Sequence, residues 1–213
     1  MKKKELNVHV LAEMAVLVAI ILLMAFTPLG YMPTPWGIQI TLIVIPVAVG
    51  SIILGPKAGA FLGLVFGLTS FANAFSNAMG MMFLEVSVLR TMILLIGNRV
   101  LVGLIPGLLF QAFKGSPKMR TIGTVICCFL TPVTNTVLYI VGNWLMFKDT
   151  WLGSSLTADY SGDGGISLLG FMLAMVAVNG IAEAIASTVI GTAVCTALQK
   201  TVNREAAAAR SAA

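Results

Sequence analysis

The chain has 213 residues, of which 58% are hydrophobic and only 10% are charged, and its mean hydropathy is +0.99. A water-soluble core of ordinary proportions does not enclose that much apolar surface, so the composition excludes an ordinary soluble domain and indicates a membrane protein. The net charge of +5 does not indicate nucleic-acid binding, because the lysines lie in short loops beside apolar segments, where lipid headgroups account for them.

Six apolar runs are long enough to cross a bilayer as helices, which satisfy every backbone hydrogen bond within their own segment. In chain order they are about Val8–Phe26, Ile38–Leu54, Ala58–Phe75, Arg99–Phe113, Ile122–Phe147 and Ile166–Leu198. Pro106 is expected to bend the fourth. We therefore predict an all-α integral membrane protein with six transmembrane helices in one domain over residues 1–213. A short basic start, 1–7, and an Ala-rich tail, about 200–213, flank the spans.

The basic residues give these spans an orientation. If the N-terminus is cytoplasmic, most of the 13 basic residues fall on the cytoplasmic side, including Lys57 and the cluster in Lys114–Arg120. Arg90, Arg99 and Lys148 are left outside. Because cytoplasmic loops carry an excess of lysine and arginine, both termini are predicted to be cytoplasmic.

Small residues line one strip of the first helix. Ala15 and Ala19 stand four apart in AVLVA, with Ala12 nearby, so another helix can approach closely there. Spacing alone favours packing inside the protein's own bundle over docking of another protein. Gly63 and Gly67 repeat the spacing in the third helix, where internal packing is favoured more strongly.

Enzyme and metal motifs are absent from the sequence. There is no HExxH or GxSxG motif, His9 is the only histidine, and GPKAGAFLG lacks the spacing and the Lys-Ser/Thr of a phosphate loop. Cys127, Cys128 and Cys195 lie in apolar runs without metal-ligand spacing and are expected to be small core residues. We predict no catalytic residues and no metal site.

Polar residues in the last two apolar runs are the first candidates for a binding site. Asn135, Tyr139 and Asn143 recur at intervals of four on one predicted helix face, with Trp144 beside its outer end. An amide in hydrocarbon is costly unless it pairs, so these residues either line a polar cavity or bond neighbouring helices. In the sixth helix Asn179 and Glu183 share a face. Asn179 is the better ligand candidate from its depth, and Glu183 either pairs internally or senses a partner protein.

The outer loops supply further candidates. Tyr31 and Trp36 lie in YMPTPWG, a stiff aromatic loop that either closes over a pocket or belongs to an interfacial aromatic belt. The stretch from 76 to 97 is too apolar for an ordinary loop and is expected to dip into the bilayer as a lid. Its Glu85 and Arg90 either pair with each other or leave Arg90 available to a ligand.

Arg99 is the residue that we expect to hold a substrate carboxylate, with Arg90 as second choice. We place Arg99 at the outer mouth of the fourth helix, where the helix dipole adds to the attraction for an anion. Two alternatives remain open, namely that Arg99 extends to the lipid headgroups or pairs with an acid such as Glu85.

The combination of AxxxA in the first helix, TPLGYMPTPWG, LGPKAGAFLGLVFG, NRVLVGL and NGIAEA resembles the substrate-binding S components of energy-coupling factor (ECF) vitamin transporters over essentially the whole chain. The resemblance implies a multi-pass protein of the prokaryotic cell membrane that binds a small water-soluble vitamin from outside. It also implies partners: a transmembrane coupling subunit, docked on Ala12, Ala15 and Ala19, and two cytoplasmic ATPases. This chain would then hold no cofactor, because ATP and magnesium bind to the ATPases.

The substrate is less sharply indicated. One outer arginine, several amides and a few aromatic side chains suit a small hydroxylated amide with one carboxylate, which describes pantothenate, and the chain is most similar to pantothenate-type S components. S components for folate, riboflavin or thiamine are the alternatives. An ion-coupled secondary transporter remains a further alternative, although no inverted repeat is visible.

Overall fold

The structure is a computed structural model that describes residues 8–33, 39–113, 115–150 and 179–199. Its elements, in chain order, are α1 (Val8–Ala25), β1 (Tyr31–Pro33), β2 (Gln39–Thr41), α2 (Val44–Leu54), α3 (Pro56–Ala74), α4 (Ala78–Val86), α5 (Val88–Gln111), α6 (Pro117–Phe147) and α7 (Asn179–Gln199).

Four of the described helices, α1, α5, α6 and α7, are long and apolar enough to cross a membrane. A fifth span results if α3 and α4 are counted together, although they are bent by 93°. With 11 residues, α2 is shorter than a bilayer requires. Six spans and cytoplasmic termini therefore stay a prediction. The start 1–7, the tail 200–213 and residues 151–178, which include the first part of the sixth predicted span, lie outside the described residues.

The second predicted span is wrong at its beginning. The chain first forms an antiparallel strand pair, β1 with β2, in which Tyr31 lies opposite Thr41 and Met32 opposite Ile40. The helix α2 begins only at Val44. The strand pair departs from the predicted all-α fold at this point, although the other described elements are helices, because a short apolar run fits a strand as well as a helix.

The predicted lid from 76 to 97 is mostly helix. The Asn77 side chain accepts a hydrogen bond from the Gly80 N–H at 2.7 Å and caps α4. The Ser87 hydroxyl accepts from the Arg90 N–H at 3.4 Å and caps α5. Two capping side chains inside one apolar stretch thus start two helices in the segment predicted to dip into the bilayer as a lid. The start of α5 at Val88 places Arg99 in the middle of that helix.

The core is built around α2 and the contact of α3 with α5. Nine consecutive residues of α2 are buried, and the Ser51 hydroxyl donates to the Gly103 carbonyl at 2.5 Å. Glycines let the backbones of α3 and α5 meet, since a Cβ on Gly63 would collide with the Arg99 carbonyl oxygen and one on Gly67 would lie 2.8 Å from the Ile96 Cα. The predicted internal packing of Gly63 and Gly67 is confirmed.

The three cysteines are free and buried, and they belong to one apolar cluster with Val102 and Phe110. The Cys127 thiol also donates to the Pro106 carbonyl at 3.5 Å. Their predicted role as small core residues is confirmed. Within the described ranges, no three histidine, cysteine or acidic side chains are grouped as metal ligands would be.

Candidate functional site

A cavity of about 150 Å³ lies between the strand pair and helices α3 to α7. Every one of these elements contributes to its wall. Tyr31 and Thr41 come from the strands, Ser70 from α3, Gly80 from α4, Arg99 from α5, Asn135 from α6 and Asn179 from α7. The wall combines a few charged and amide groups with apolar and aromatic surface, which is the usual composition of a small-molecule site.

Arg99 reaches this cavity from the middle of α5 and is only 7% exposed. Our expectation that it stands at a helix N-terminus, aided by the helix dipole, is therefore wrong, because α5 begins eleven residues earlier at Val88 and the dipole acts only within the first turn. Extension to the outer headgroups and pairing with Glu85 are also contradicted, since Arg99 is buried and Glu85 is exposed.

Three side chains hold the Arg99 guanidinium. Its Nη1 donates to the Asn135 Oδ1 at 2.6 Å. Its central carbon lies 4.8 Å from the Phe66 ring centre and 5.9 Å from that of Tyr139, so both rings contribute cation–π attraction. Among the described residues, the buried Arg99 Nε has no hydrogen-bond partner, and no carboxylate lies within 4.0 Å of the guanidinium.

The predicted stripe on α6 divides between two environments. Asn135 and Tyr139 line the cavity, whereas Asn143 and Trp144 do not. The Asn143 Nδ2 donates to the Tyr139 carbonyl at 2.8 Å, and Trp144 is exposed. Every four residues advance an α-helix about 40° beyond one full turn, so Asn143 is rotated roughly 80° from Asn135. A spacing of four keeps two residues on one face but not three.

Asn179 and Glu183 line the cavity from α7. The Asn179 Nδ2 is buried and has no hydrogen-bond partner among the described residues. The Glu183 Oε1 accepts a hydrogen bond from the Thr41 backbone N–H at 2.6 Å, so the expected internal pairing of Glu183 is found, with a backbone group of β2. We had not counted Glu183 among the substrate-binding residues, although the spacing of four in NGIAE placed it on the face of Asn179.

The outer-loop candidates lie in different places. Tyr31 lines the cavity, and its hydroxyl shares a hydrogen bond of 3.0 Å with Ser70. Arg90 is exposed outside the cavity wall and donates to the Met146 carbonyl at 2.9 Å, so it does not pair with Glu85. Trp36 lies outside the described residues.

Sequence reasoning missed several polar residues of the wall. They are Thr41, Ser70, Asn73, Asn77 and Thr136. A signal for three of them was present in TSFANAFSN, which covers the end of the third apolar run and the two residues after it and in which polar residues interrupt an apolar segment. Thr41 offered no comparable signal, because it was assigned to a helix and lies in a strand.

The predicted docking strip lies on the surface. Ala12, Ala15 and Ala19 are all exposed, and Ile21 is the only described residue of α1 that is fully enclosed. At 100° per residue, Ile21 projects from the side of α1 roughly opposite to the strip. The strip therefore does not pack within the described bundle, which the spacing alone had favoured.

Comparison with known proteins identifies the family. The sequence model described as "ECF transporter, substrate-specific component" matches residues 9–195. The pantothenic acid transporter PanT of Lactococcus lactis subsp. cremoris is 32% identical over 212 residues, which cover 95% of this chain and 98% of the relative. The pantothenate transporter PanT of Leuconostoc mesenteroides subsp. mesenteroides is 30% identical over 182 residues, covering 83% and 85% of the two chains. This multi-pass membrane protein therefore belongs to the family of substrate-specific components of ECF transporters, which is a transporter family and not an enzyme family.

Proposed function

We propose that this chain is the pantothenate-binding S subunit of an ECF uptake transporter and that the cavity around Arg99 is its substrate site. The two relatives named for pantothenate transport cover most of this chain, which supports the choice of substrate. The observation that carries the proposal is the buried guanidinium of Arg99, which opens on the cavity without a carboxylate partner among the described residues.

The substrate carboxylate is the group that Arg99 is suited to hold. Burying a guanidinium without an anion is costly, and one hydrogen bond from Asn135 and two aromatic rings compensate only part of that cost. A carboxylate at the cavity-facing side of the fork forms charge-assisted hydrogen bonds and neutralises the charge. Asn135 keeps the guanidinium in position for this contact, because its Oδ1 already holds Nη1.

The remaining wall suits the rest of pantothenate, which has one amide and two hydroxyl groups. Within the described part of the chain, the Asn179 Nδ2 is a donor at the wall without a partner, and Ser70 and Thr136 add hydroxyl groups. Such side chains match a flexible polar chain better than they match a large flat ring.

Two alternative vitamins, thiamine and folate, fit the cavity less well. Thiamine carries a positive charge that Arg99 repels, and folate carries two carboxylates, whereas Arg99 is the one cation among the described wall residues.

The energy for uptake comes from partner subunits in this proposal. The coupling subunit docks on the exposed strip of Ala12, Ala15 and Ala19, where small side chains permit close approach of another helix. Two cytoplasmic ATPases bind ATP and magnesium and drive transport through that subunit. The substrate enters from the outside, and both termini of this chain face the cytoplasm.

Titration calorimetry of the purified protein tests the substrate and the role of Arg99 together. We expect tight binding of pantothenate and weak binding of pantothenol, in which a neutral alcohol replaces the carboxylate. Arg99→Ala should weaken pantothenate binding by about a hundredfold or more, because a charge-assisted contact is lost and Asn135 loses its partner. Arg99→Lys should recover only part, since an ammonium group lacks the planar fork.

Two outcomes contradict the assignment. One is equal affinity for pantothenate and pantothenol, and the other is an Arg99→Ala protein that binds pantothenate as tightly as the wild type. Mass spectrometry of small molecules released from the purified wild-type protein gives an independent check, since a tight S subunit retains its vitamin. Release of folate, riboflavin or thiamine in place of pantothenate contradicts the proposed substrate.

A further inference from the structure

Among the described side chains, each strand of the pair formed by Tyr31–Pro33 and Gln39–Thr41 has a hydrogen bond to the cavity wall. On β1, the Tyr31 hydroxyl and the Ser70 hydroxyl of α3 lie 3.0 Å apart. On β2, the Thr41 N–H donates to the Glu183 carboxylate of α7 at 2.6 Å. The two strands thus bond to different helices, and Tyr31 and Thr41 both help to line the cavity.

The attachment at Glu183 is the stronger of the two. It is shorter, and a carboxylate is its acceptor, whereas the Tyr31 contact joins two neutral hydroxyl groups. Thr41 is 7% exposed and Glu183 is 5% exposed, so little water competes for either group. Breaking the contact leaves the buried Thr41 N–H without this acceptor until water enters, which makes separation of β2 from α7 unfavourable.

The same contact joins two parts of the chain that are 142 residues apart. Glu183 lies one helical turn from Asn179, and both residues line the cavity. Thr41 and Glu183 both belong to the cavity wall, so a movement of β2 away from α7 parts this wall and breaks the bond between them.

We propose that Glu183 is a positioning residue that latches β2 to α7 and thereby slows the escape of a solute from the cavity. The identity of the solute, pantothenate, rests on the proposed function, whereas the latch between Thr41 and Glu183 does not. Another role competes with this one. Glu183 is the acidic group of the described wall, and its charge attracts that of Arg99. In this second role the negative charge of Glu183 matters, and the length of its side chain does not.

Three variants separate reach from charge. Glu183→Gln keeps the length of the side chain and an oxygen that accepts from the Thr41 N–H, but it loses the charge. Glu183→Asp keeps the charge and withdraws the carboxylate by about 1.5 Å, one carbon–carbon bond. Glu183→Leu removes both properties at similar volume. Glu85→Gln and Glu85→Asp are matched controls, because Glu85 is an exposed acid outside the cavity wall.

The first measurement is hydrogen–deuterium exchange of peptides containing Thr41 in the ligand-free protein, which reports opening of this region. We expect Thr41 peptides of Glu183→Asp and Glu183→Leu to exchange at least about tenfold faster than those of the wild type, because loss of a hydrogen bond to a charged group is worth roughly a factor of ten or more. Glu183→Gln should stay within about threefold of the wild-type rate. Both Glu85 variants should match the wild type. Equal exchange in all variants overturns the latch, and so does fast exchange in Glu183→Gln together with wild-type exchange in Glu183→Asp.

The second measurement is the rate at which radiolabelled pantothenate leaves the protein when unlabelled pantothenate is added in excess. We expect release to be about tenfold faster in Glu183→Asp and Glu183→Leu, with little change in the association rate. If the Glu183 variants show faster deuterium exchange at Thr41 but release pantothenate at the wild-type rate, Glu183 does not control the escape of the solute. A wild-type protein that binds no pantothenate contradicts the proposed function alone, because the exchange measurement needs no ligand and decides the latch by itself.

Discussion

At the residue scale, Arg99 is the one cation among the described residues that line the cavity. A guanidinium in the middle of an apolar helix is costly to desolvate, and such residues in membrane proteins usually face a cavity or a partner. Arg99 does both, with Asn135 as the partner. The adjacent Asn98 is also buried, and neither of its amide atoms has a partner in the described ranges, yet it does not line the cavity. Burial of a polar group is therefore not sufficient to assign it to the site.

The two amides of α6 provide a test at this scale. Asn135→Ala removes the group that positions Arg99, so we expect pantothenate affinity to fall by about ten- to a hundredfold. Asn143→Ala, the same change two turns further along, should weaken binding much less, because the Asn143 Nδ2 bonds the Tyr139 carbonyl and not the cavity. Calorimetry of both variants decides the matter. Equal losses of affinity would contradict the division of the stripe.

At the element scale, the site depends on how closely α3 and α5 approach. Gly59 and Gly103 meet backbone to backbone, and Gly63 meets the carbonyl of Arg99 itself. Because the contact is made by main-chain atoms, neither helix can yield by rotating a side chain. The depth and direction of Arg99 are therefore set by the glycines of the neighbouring helix.

A larger residue at Gly63 should consequently disturb both stability and binding. We expect Gly63→Val to cost about 1–3 kcal/mol of stability by overpacking and to lower pantothenate affinity by displacing the α5 backbone at Arg99. Gly97→Ala is the control on α5, since nothing lies within 4 Å of the added methyl group. It should be neutral or slightly stabilising, because alanine favours the helix over glycine. Thermal unfolding and calorimetry check both effects, and a Gly63→Val protein with wild-type melting temperature and affinity would contradict the argument.

At the scale of the whole molecule, α1 is the helix that the rest of the described bundle encloses least. Large apolar side chains such as Leu11, Val16 and Leu23 are 58%, 58% and 67% exposed. In a bilayer such residues meet lipid without penalty, so exposure alone does not indicate a partner. The small residues Ala12, Ala15 and Ala19 on the outward side of the helix are what favour contact with another helix.

Bulky substitutions on this strip should separate binding from transport. Ala15→Trp and Ala19→Trp block close approach of the coupling subunit, so we expect uptake to fall by at least about tenfold while the isolated protein keeps wild-type affinity for pantothenate. Ile20→Trp is the control, because Ile20 is exposed roughly 100° away around the helix. Uptake in proteoliposomes with the coupling subunit and ATPases is the measurement. Loss of pantothenate affinity in Ala15→Trp or Ala19→Trp would indicate instead that the strip packs inside the bundle.

The sequence by itself determined that this protein lies in a membrane and where several of its long helices run. The predicted first and third spans agree with α1 and α3 to within two residues at each end, and Phe147 ends α6 as predicted. These features follow from composition and from runs of apolar residues, because a backbone in hydrocarbon must satisfy its own hydrogen bonds. The motifs that resembled S components were sufficient to indicate the family, since they are short and local.

Only the tertiary structure decided which polar residues meet. Arg99 and Asn135 were both candidates, but their direct bond and the depth of Arg99 depend on where α5 begins and on the close contact of α3 with α5. The sequence could not predict the bond between Thr41 and Glu183, because Thr41 lies in a strand that was predicted to be helix and Glu183 is 142 positions away. Periodicity indicates a face of one helix, whereas a site is made by the rotation and packing of several, which sequence spacing does not contain.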